Sequence, residues 1–270
     1  MSGAAFHPRV SLHLASGWNW SLDEHLAFLT SEGVPAITVT AAQVKDNAED
    51  AIARIRASGV AVTAYATANG SLIDGEEAAL AQLQPIIDMA AALGAPTAIG
   101  MTGPTPSRMP TAEACDRLVA SLGAARDYAR SKGVTLAFEH SSPTLRQIGF
   151  VTSLTDLVTV AGEAGIGVVV ETQNCWYERN VSAIFRNHID RIAAFQCSDF
   201  VVGEELRMNR RVPGDGDMPL EWMMGEVLDA GYAGKFDLEI VGPAIEKEGY
   251  ASAFRRGLDW MSERLDRWGA

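Results

Sequence analysis

The chain contains little lysine, and its charge is strongly negative. Only four of its 22 basic residues are lysines, and the formal net charge is −12. Because phosphate binding relies on Lys and Arg, this balance argues against a nucleic-acid partner. None of the lysines ends a predicted strand, which argues against a Schiff-base aldolase. The four are Lys45, Lys132, Lys235 and Lys247.

Cysteine is also scarce, and no long uncharged apolar run occurs. Cys115, Cys175 and Cys197 are scattered and form no CxxC pair, so neither a disulfide framework nor a thiolate zinc site is indicated. The first residues lack a basic segment followed by an apolar one, and no later run reaches membrane-spanning length. We therefore expect a cytoplasmic protein without a membrane partner.

Regular alternation of strand-like and helix-like segments is the main structural signal. The chain has 270 residues and 47% hydrophobic content, and eight strand-like runs alternate with eight amphipathic stretches without any linker. This pattern predicts an α/β protein, a single (β/α)8 TIM barrel domain over residues 1–270. An open doubly wound sheet is the alternative, but residues 15–20, the first βα turn, lack GxGxxG.

Four consecutive predicted strands end on side chains that can bind a cation. Glu139, Glu171, Gln196 and Glu239 each follow a run of apolar or β-forming residues. In a barrel these ends meet at the C-terminal mouth, where barrel enzymes have their active sites. Three carboxylates buried together would repel one another unless a positive charge lay between them. A divalent metal ion is therefore predicted, although each residue taken alone could be a solvated loop residue.

The last third of the chain carries the most specific motif. Residues 211–217 (RVPGDGD), 231–234 (GYAG) and 237–241 (DLEIV) resemble the R-x-P-G-x-G … GY-x-G … E pattern of the xylose isomerase-like TIM barrel superfamily, the sugar phosphate isomerase/epimerase family. The resemblance covers the whole chain. It implies a divalent metal held at the ends of strands 5 to 8 by Glu, Asp, His and Glu.

Two of the four implied ligands match this family pattern, and two depart from it. Glu139 and Glu239 match, whereas Glu171 replaces Asp and Gln196 replaces His. A site with oxygen ligands alone favours Mn²⁺ or Mg²⁺ over Zn²⁺. The alternative is a degenerate site that has lost its metal.

The resemblance also implies a reaction. The family moves a proton next to a carbonyl, and the metal stabilises the enediolate. Glu139 and Glu239 would then be the catalytic pair, acting on a carbohydrate-like hydroxy-ketone in an isomerase or epimerase. The alternatives are a lyase or dehydratase, including glycoside-cleaving β-elimination, and a metal-free or partner-dependent subunit. The family's DNA-repair endonucleases fit poorly, because the histidines here are few and the charge is negative.

Further residues are candidates for contact with a small-molecule substrate. Asn174 stands where family members often have a substrate-contacting His, and Arg211 resembles their substrate-oriented Arg. Aromatic rings in loops after predicted strands can stack on sugar faces. His13 could be a proton carrier or a core residue, and Asp199 could contact a neighbour at the mouth or cap its loop. The predicted substrate-binding residues are Asn174, Arg211, Trp18, Trp176, His13 and Asp199, and a homo-oligomer is left open.

Overall fold

Eight parallel strands close into a barrel in the computed structural model, which describes residues 5–206 and 208–270. Neighbouring strands follow one another in chain order, and the last pairs with the first. The predicted (β/α)8 barrel is therefore confirmed, and the open sheet is excluded. The strands are β1 (Val10–His13), β2 (Ala36–Thr40), β3 (Ala61–Ala66), β4 (Thr97–Met101), β5 (Thr135–Glu139), β6 (Gly167–Glu171), β7 (Ile192–Cys197) and β8 (Phe236–Leu238).

Helices cover the outside of the barrel. Ser21 caps the first helix through a reciprocal pair of hydrogen bonds with Glu24, and Gly33 ends it in the left-handed conformation. No helix in the described residues is long and apolar enough to cross a membrane. The helices are α1 (Leu22–Glu32), α2 (Ala41–Val44), α3 (Ala48–Ser58), α4 (Glu76–Leu93), α5 (Thr111–Ser121), α6 (Gly123–Ser131), α7 (Leu154–Ala164), α8 (Val181–His188), α9 (Leu220–Asp229), α10 (Pro243–Glu248) and α11 (Tyr250–Trp268).

The helical stretch that follows β4, over residues 111–131, is interrupted. The structure has two helices there, α5 and α6, which meet at Leu122. The Ser121 hydroxyl donates a hydrogen bond to a carbonyl one turn earlier, a contact that bends helices. Gly123 then lies so close to Glu76 that a Cβ atom would collide with the carboxylate. The break thus lets α6 pass close to the start of α4.

Small side chains fill the inside of the barrel. Ala64, Ile99, Ala137 and Val169 form a cluster separate from the large core between strands and helices. The bulky strand residues, such as Phe138, belong to that outer core instead. Because the inner layer is small, space remains above it at the C-terminal mouth, where the strand ends carry their polar side chains.

Candidate active site

The four predicted metal ligands lie at the C-terminal end of the barrel. Glu139 and Glu171 are the last residues of β5 and β6, Gln196 is next to last in β7, and Glu239 directly follows β8. Glu171 lies opposite Gln196 in the strand register. The charges of Glu171 and Glu239 both act on Glu139. The structure therefore brings together the side chains that the sequence pattern selected.

A cavity of about 300 Å³ opens at this mouth. Glu139 and Glu239 line it, whereas Glu171 and Gln196 are fully buried and are not part of its wall. Its volume is at the lower end of the range for small-molecule sites. The remaining wall residues are His13, Ala15, Thr40, Ala41, Ala42, Ala66, Thr67, Ala68, Ile99, Met101, Ser141, Ser142, Leu145, Ile148, Gln173, Asn174, Met208 and Arg210.

Arg210 is a site residue that the sequence prediction did not select. Its Nη1 lies 2.8 Å from Glu239 Oε2, and its Nη2 lies 3.6 Å from Glu171 Oε1. Nε donates a hydrogen bond to Gln173 Oε1 at 2.9 Å, and Nη1 donates one to the Glu239 carbonyl at 2.8 Å. A positive charge therefore lies among the glutamates, and it belongs to a side chain. The available signal was the double arginine before Val212, of which the motif match selected the second.

Arg211 points to a different place. Its Nη2 donates to Glu204 Oε2 at 2.8 Å, and Nη1 donates to the Asn209 carbonyl. Its backbone forms an antiparallel β-bridge with Asp199, in which each residue donates its N–H to the carbonyl of the other. Arg211 is absent from the cavity wall, where its neighbour Arg210 lies instead.

Asp199 organises the loop that carries these arginines. Its Oδ1 accepts hydrogen bonds from the backbone N–H groups of Phe200 and Met218, and its Oδ2 accepts from those of Gly214 and Gly216. The residue is buried and does not line the cavity. Of the two roles considered from the sequence, the structure shows the loop cap.

The other predicted contact residues divide into two groups. His13, the last residue of β1, lines the cavity. Asn174 also lines the cavity, and its side-chain amide donates a hydrogen bond to the His140 carbonyl at 3.2 Å. Trp18 is exposed and donates to the Glu246 carboxylate, and Trp176 packs edge-on against Tyr177. Neither tryptophan is part of the cavity wall. Loop position after a strand therefore did not identify which rings reach the cavity.

The glutamates of the site differ in their proton affinity. Burial, together with the charges of Glu239 and Glu171, raises the pKa of Glu139 well above its usual range. Burial also raises the pKa of Glu171, against the lowering effect of Arg210. Burial opposes ionisation of Glu239 as well, but the charges of Arg210 and His13 outweigh it and lower that pKa. Without a metal ion, the site thus favours a protonated Glu139 and an ionised Glu239.

The chemistry of this donor set fits a hard divalent cation. Three carboxylates and one guanidinium carry a formal charge of −2 when all are ionised, which one divalent ion would neutralise. The buried amide of Gln196 lies next to Glu139, and neither of its polar atoms has a hydrogen bond of good geometry, which leaves its oxygen available to an ion. As now positioned, however, Glu239 and Glu171 are engaged by Arg210. In residues 5–206 and 208–270, no group of three or more His, Cys, Asp or Glu side chains is arranged to hold a metal ion.

Similar proteins were found at the level of structure and of family. A protein from Sinorhizobium meliloti 1021, SMc04130, has 22% identity, with a TM-score of 0.84 over 96% of this chain and 98% of that one. The IolI protein with a zinc atom has 16% identity and a TM-score of 0.80 over 96% and 98% of the two chains. An L-ribulose 3-epimerase has 17% identity and a TM-score of 0.76 over 96% and 95%.

At these identities the structural likeness establishes the fold. No curated protein sequence matches the chain. The model of the xylose isomerase-like TIM barrel family, however, matches residues 26–264, which is most of the chain. The family suggested by residues 211–241 is thereby confirmed. The chain belongs to the xylose isomerase-like TIM barrel family.

Proposed function

We propose that this protein is an isomerase or epimerase of a carbohydrate-like hydroxy-ketone and acts by proton transfer at the carbon next to the carbonyl. The observation that carries the proposal is that Glu139 and Glu239 line one cavity, where the metal-free site shifts their pKa values in opposite directions. An ionised carboxylate can take a proton, and a protonated one can give it. The L-ribulose and D-psicose 3-epimerases among the similar structures support this reaction class.

The residues of the chain have distinct roles in this proposal. Glu239 removes the carbon-bound proton, and Glu139 delivers one to the other face of the resulting planar intermediate. Arg210, at the wall beside Glu239, supplies positive charge near the substrate oxygen on which negative charge develops. Asn174 adds an amide to the wall and is held by the His140 carbonyl. The apolar part of the wall limits the access of water.

A divalent ion, Mn²⁺ or Mg²⁺, is the proposed cofactor. Glu139, Glu171, Gln196 and Glu239 would hold it, and it would supply positive charge that stabilises the developing oxyanion. The zinc atom in the IolI structure supports a metal-binding role for this fold, whereas the all-oxygen set here favours a harder ion. Elemental analysis of the wild type beside E139A and E239A tests the assignment. About one ion per chain, lost in both variants, is the expected result.

Isotope exchange tests the reaction. Incubation with D-psicose, D-fructose and L-ribulose in deuterium oxide, followed by NMR, reports exchange at the carbon next to the carbonyl. We expect exchange in the wild type, no exchange in E239Q, and exchange without inversion in E139Q, because only the second face loses its acid. E246Q is the matched control, since Glu246 binds Trp18 away from the cavity wall. Normal exchange and inversion in both cavity variants would refute the proposal.

A lyase or dehydratase is the second candidate, and the state of Glu139 favours it. A protonated carboxyl beside the substrate can also protonate a leaving group on the next carbon. The apolar wall residues Ile99, Leu145 and Ile148 would suit a substrate with an apolar substituent. The same NMR experiment distinguishes the reactions, because elimination produces an α,β-unsaturated ketone and releases the leaving group.

A further inference from the structure

Arg210 occupies the position in which a counter-cation for the glutamates is needed. It is the one Lys or Arg among the described residues that line the cavity, and its side chain is 7% exposed. The guanidinium contacts Glu239 and Glu171 through ion pairs, and it contacts Gln173 through a hydrogen bond. A guanidinium stays charged at any pH at which proteins fold, so this positive charge is permanent.

The same contacts occupy atoms that a metal ion would need. Glu239 Oε2 lies 2.8 Å from Arg210 Nη1, which is too close for a cation to enter between them. Glu171 Oε2 accepts from the Asn174 N–H, and its Oε1 accepts from the Ser198 hydroxyl and lies 3.6 Å from Arg210. Glu171 and Gln196 are also outside the cavity wall that Arg210 helps to form. A cation entering from the cavity therefore meets Glu139 and Glu239 together with the guanidinium that is paired with Glu239.

We propose that Arg210 is a built-in counter-cation that competes with a divalent ion for Glu239 and Glu171, and so sets the affinity of the site for metal. This rests on the proposed function only in the identity of the ligands. With Arg210 in place, the glutamates are compensated and the metal-free protein stays folded. An ion held by Glu239 and Glu171 would require the guanidinium to release both carboxylates, and the adjoining cavity would then take up the Arg210 side chain.

The anchoring of Arg210 is compatible with such a movement. Its backbone N–H donates to the Val241 carbonyl at 2.8 Å, which fixes the main chain beside the strand end. The side chain reaches the glutamates from this fixed point, and the cavity of about 300 Å³ gives it a second place to go. Only side-chain torsions need to change, so the exchange requires no rearrangement of the barrel.

Calorimetric titration with MnCl₂ tests the proposal on EDTA-treated protein. R210Q removes the charge and keeps a polar side chain, and we expect it to bind Mn²⁺ at least about ten-fold more tightly than the wild type, because a cation beside the ion is removed. R211Q is the matched control, since Arg211 pairs with Glu204 outside the cavity wall, and its Mn²⁺ affinity should equal that of the wild type.

The outcomes separate this proposal from the proposed reaction. Equal or weaker Mn²⁺ binding by R210Q, or no Mn²⁺ binding by either protein, would overturn it. If R210Q does not fold, R210M decides: methionine removes the charge and keeps a long side chain, so binding tighter than in the wild type supports the proposal and equal or weaker binding contradicts it. The titration needs no turnover, so failure of the isotope exchange would leave this result intact.

Discussion

Replacing Arg210 by Gln tests how much its guanidinium stabilises the metal-free site. The side chain is 7% exposed and forms ion pairs with Glu239 at 2.8 Å and Glu171 at 3.6 Å. Removing one partner of a buried ion pair costs about 3–5 kcal/mol, because the remaining charge stays buried without compensation. We therefore expect R210Q to lower the free energy of unfolding by about 3–5 kcal/mol at neutral pH with EDTA present. Urea unfolding followed by circular dichroism measures the difference.

The sign of the pH dependence follows from the glutamates. Burial opposes ionisation of Glu239, but Arg210 and His13 hold its pKa below the usual 4.5, so this stabilisation is present above about pH 4.5 and is lost as pH falls through the lowered pKa. In R210Q the pKa values of Glu239 and Glu171 rise, and both carboxyls take up protons that the unfolded chain does not. The difference in free energy of unfolding between the wild type and R210Q should therefore become smaller as the pH falls from 7 to about 5.

A double-mutant cycle with E239Q isolates the pair. E239Q removes the 2.8 Å partner but leaves Glu171 beside Arg210, so we expect a smaller loss than in R210Q. The two losses should not add, and the coupling should be about 1–3 kcal/mol. Additive losses, or an R210Q deficit below about 1 kcal/mol that does not change with pH, would refute the idea that Arg210 neutralises this site.

Three further predictions concern the loop and the helix layer. D199N should lower the free energy of unfolding by about 3 kcal/mol, because an amide cannot accept all four backbone hydrogen bonds that the carboxylate accepts. D215N is the control: it breaks only an exposed ion pair with Arg256 and should cost less than about 1 kcal/mol. Urea unfolding measures both. Burial lowers the pKa of His25 from 6.5 to about 4. As the pH falls below 6.5, His25 is therefore protonated in the unfolded chain before it is protonated in the folded protein. The free energy of unfolding of the wild type should decrease by up to about 3 kcal/mol between pH 6.5 and 4. H25Q should show a correspondingly flatter pH profile of stability, and an unchanged profile would contradict this assignment. G242A should destabilise the protein by more than about 2 kcal/mol and impair isotope exchange, because the φ of Gly242 is +121° and a Cβ there would collide with the Met208 carbonyl. G225A is the control: Gly225 has open space beside it in α9, so this variant should behave like the wild type in both assays.

Local sequence alone did not locate several side chains in the fold. His25 lies in α1, yet it is fully buried against Trp20, and one ring nitrogen faces the Gly17 carbonyl. Helical position alone does not tell which neighbour covers a residue. Trp18 and Trp176 follow strands as expected, yet each packs away from the cavity, since a loop's direction depends on what it packs against.

The choice between Arg210 and Arg211 shows the same limit. Asp199 and Arg211 form a two-way backbone bridge, and the N–H of Arg210 binds the Val241 carbonyl on the other side. In such an extended segment, neighbouring side chains point in opposite directions. Arg211 therefore turns to Glu204, and Arg210 turns into the site. The motif match located the right segment but selected Arg211, whereas the side chain that lines the cavity is that of the preceding residue, Arg210.

The sequence by itself determined the barrel and the positions of its polar strand ends. Strand and helix periods are local and repeat eight times, and parallel strands in a closed barrel must carry their C-terminal residues to one mouth. Glu139, Glu171, Gln196 and Glu239 could thus be grouped without a structure. Only the tertiary structure decided which of them face the cavity, which cation lies among them and how their proton affinities divide. Those properties depend on burial and on the charge of Arg210, which comes from a loop distant in sequence. Neither burial nor such a long-range contact produces a periodic pattern in the sequence.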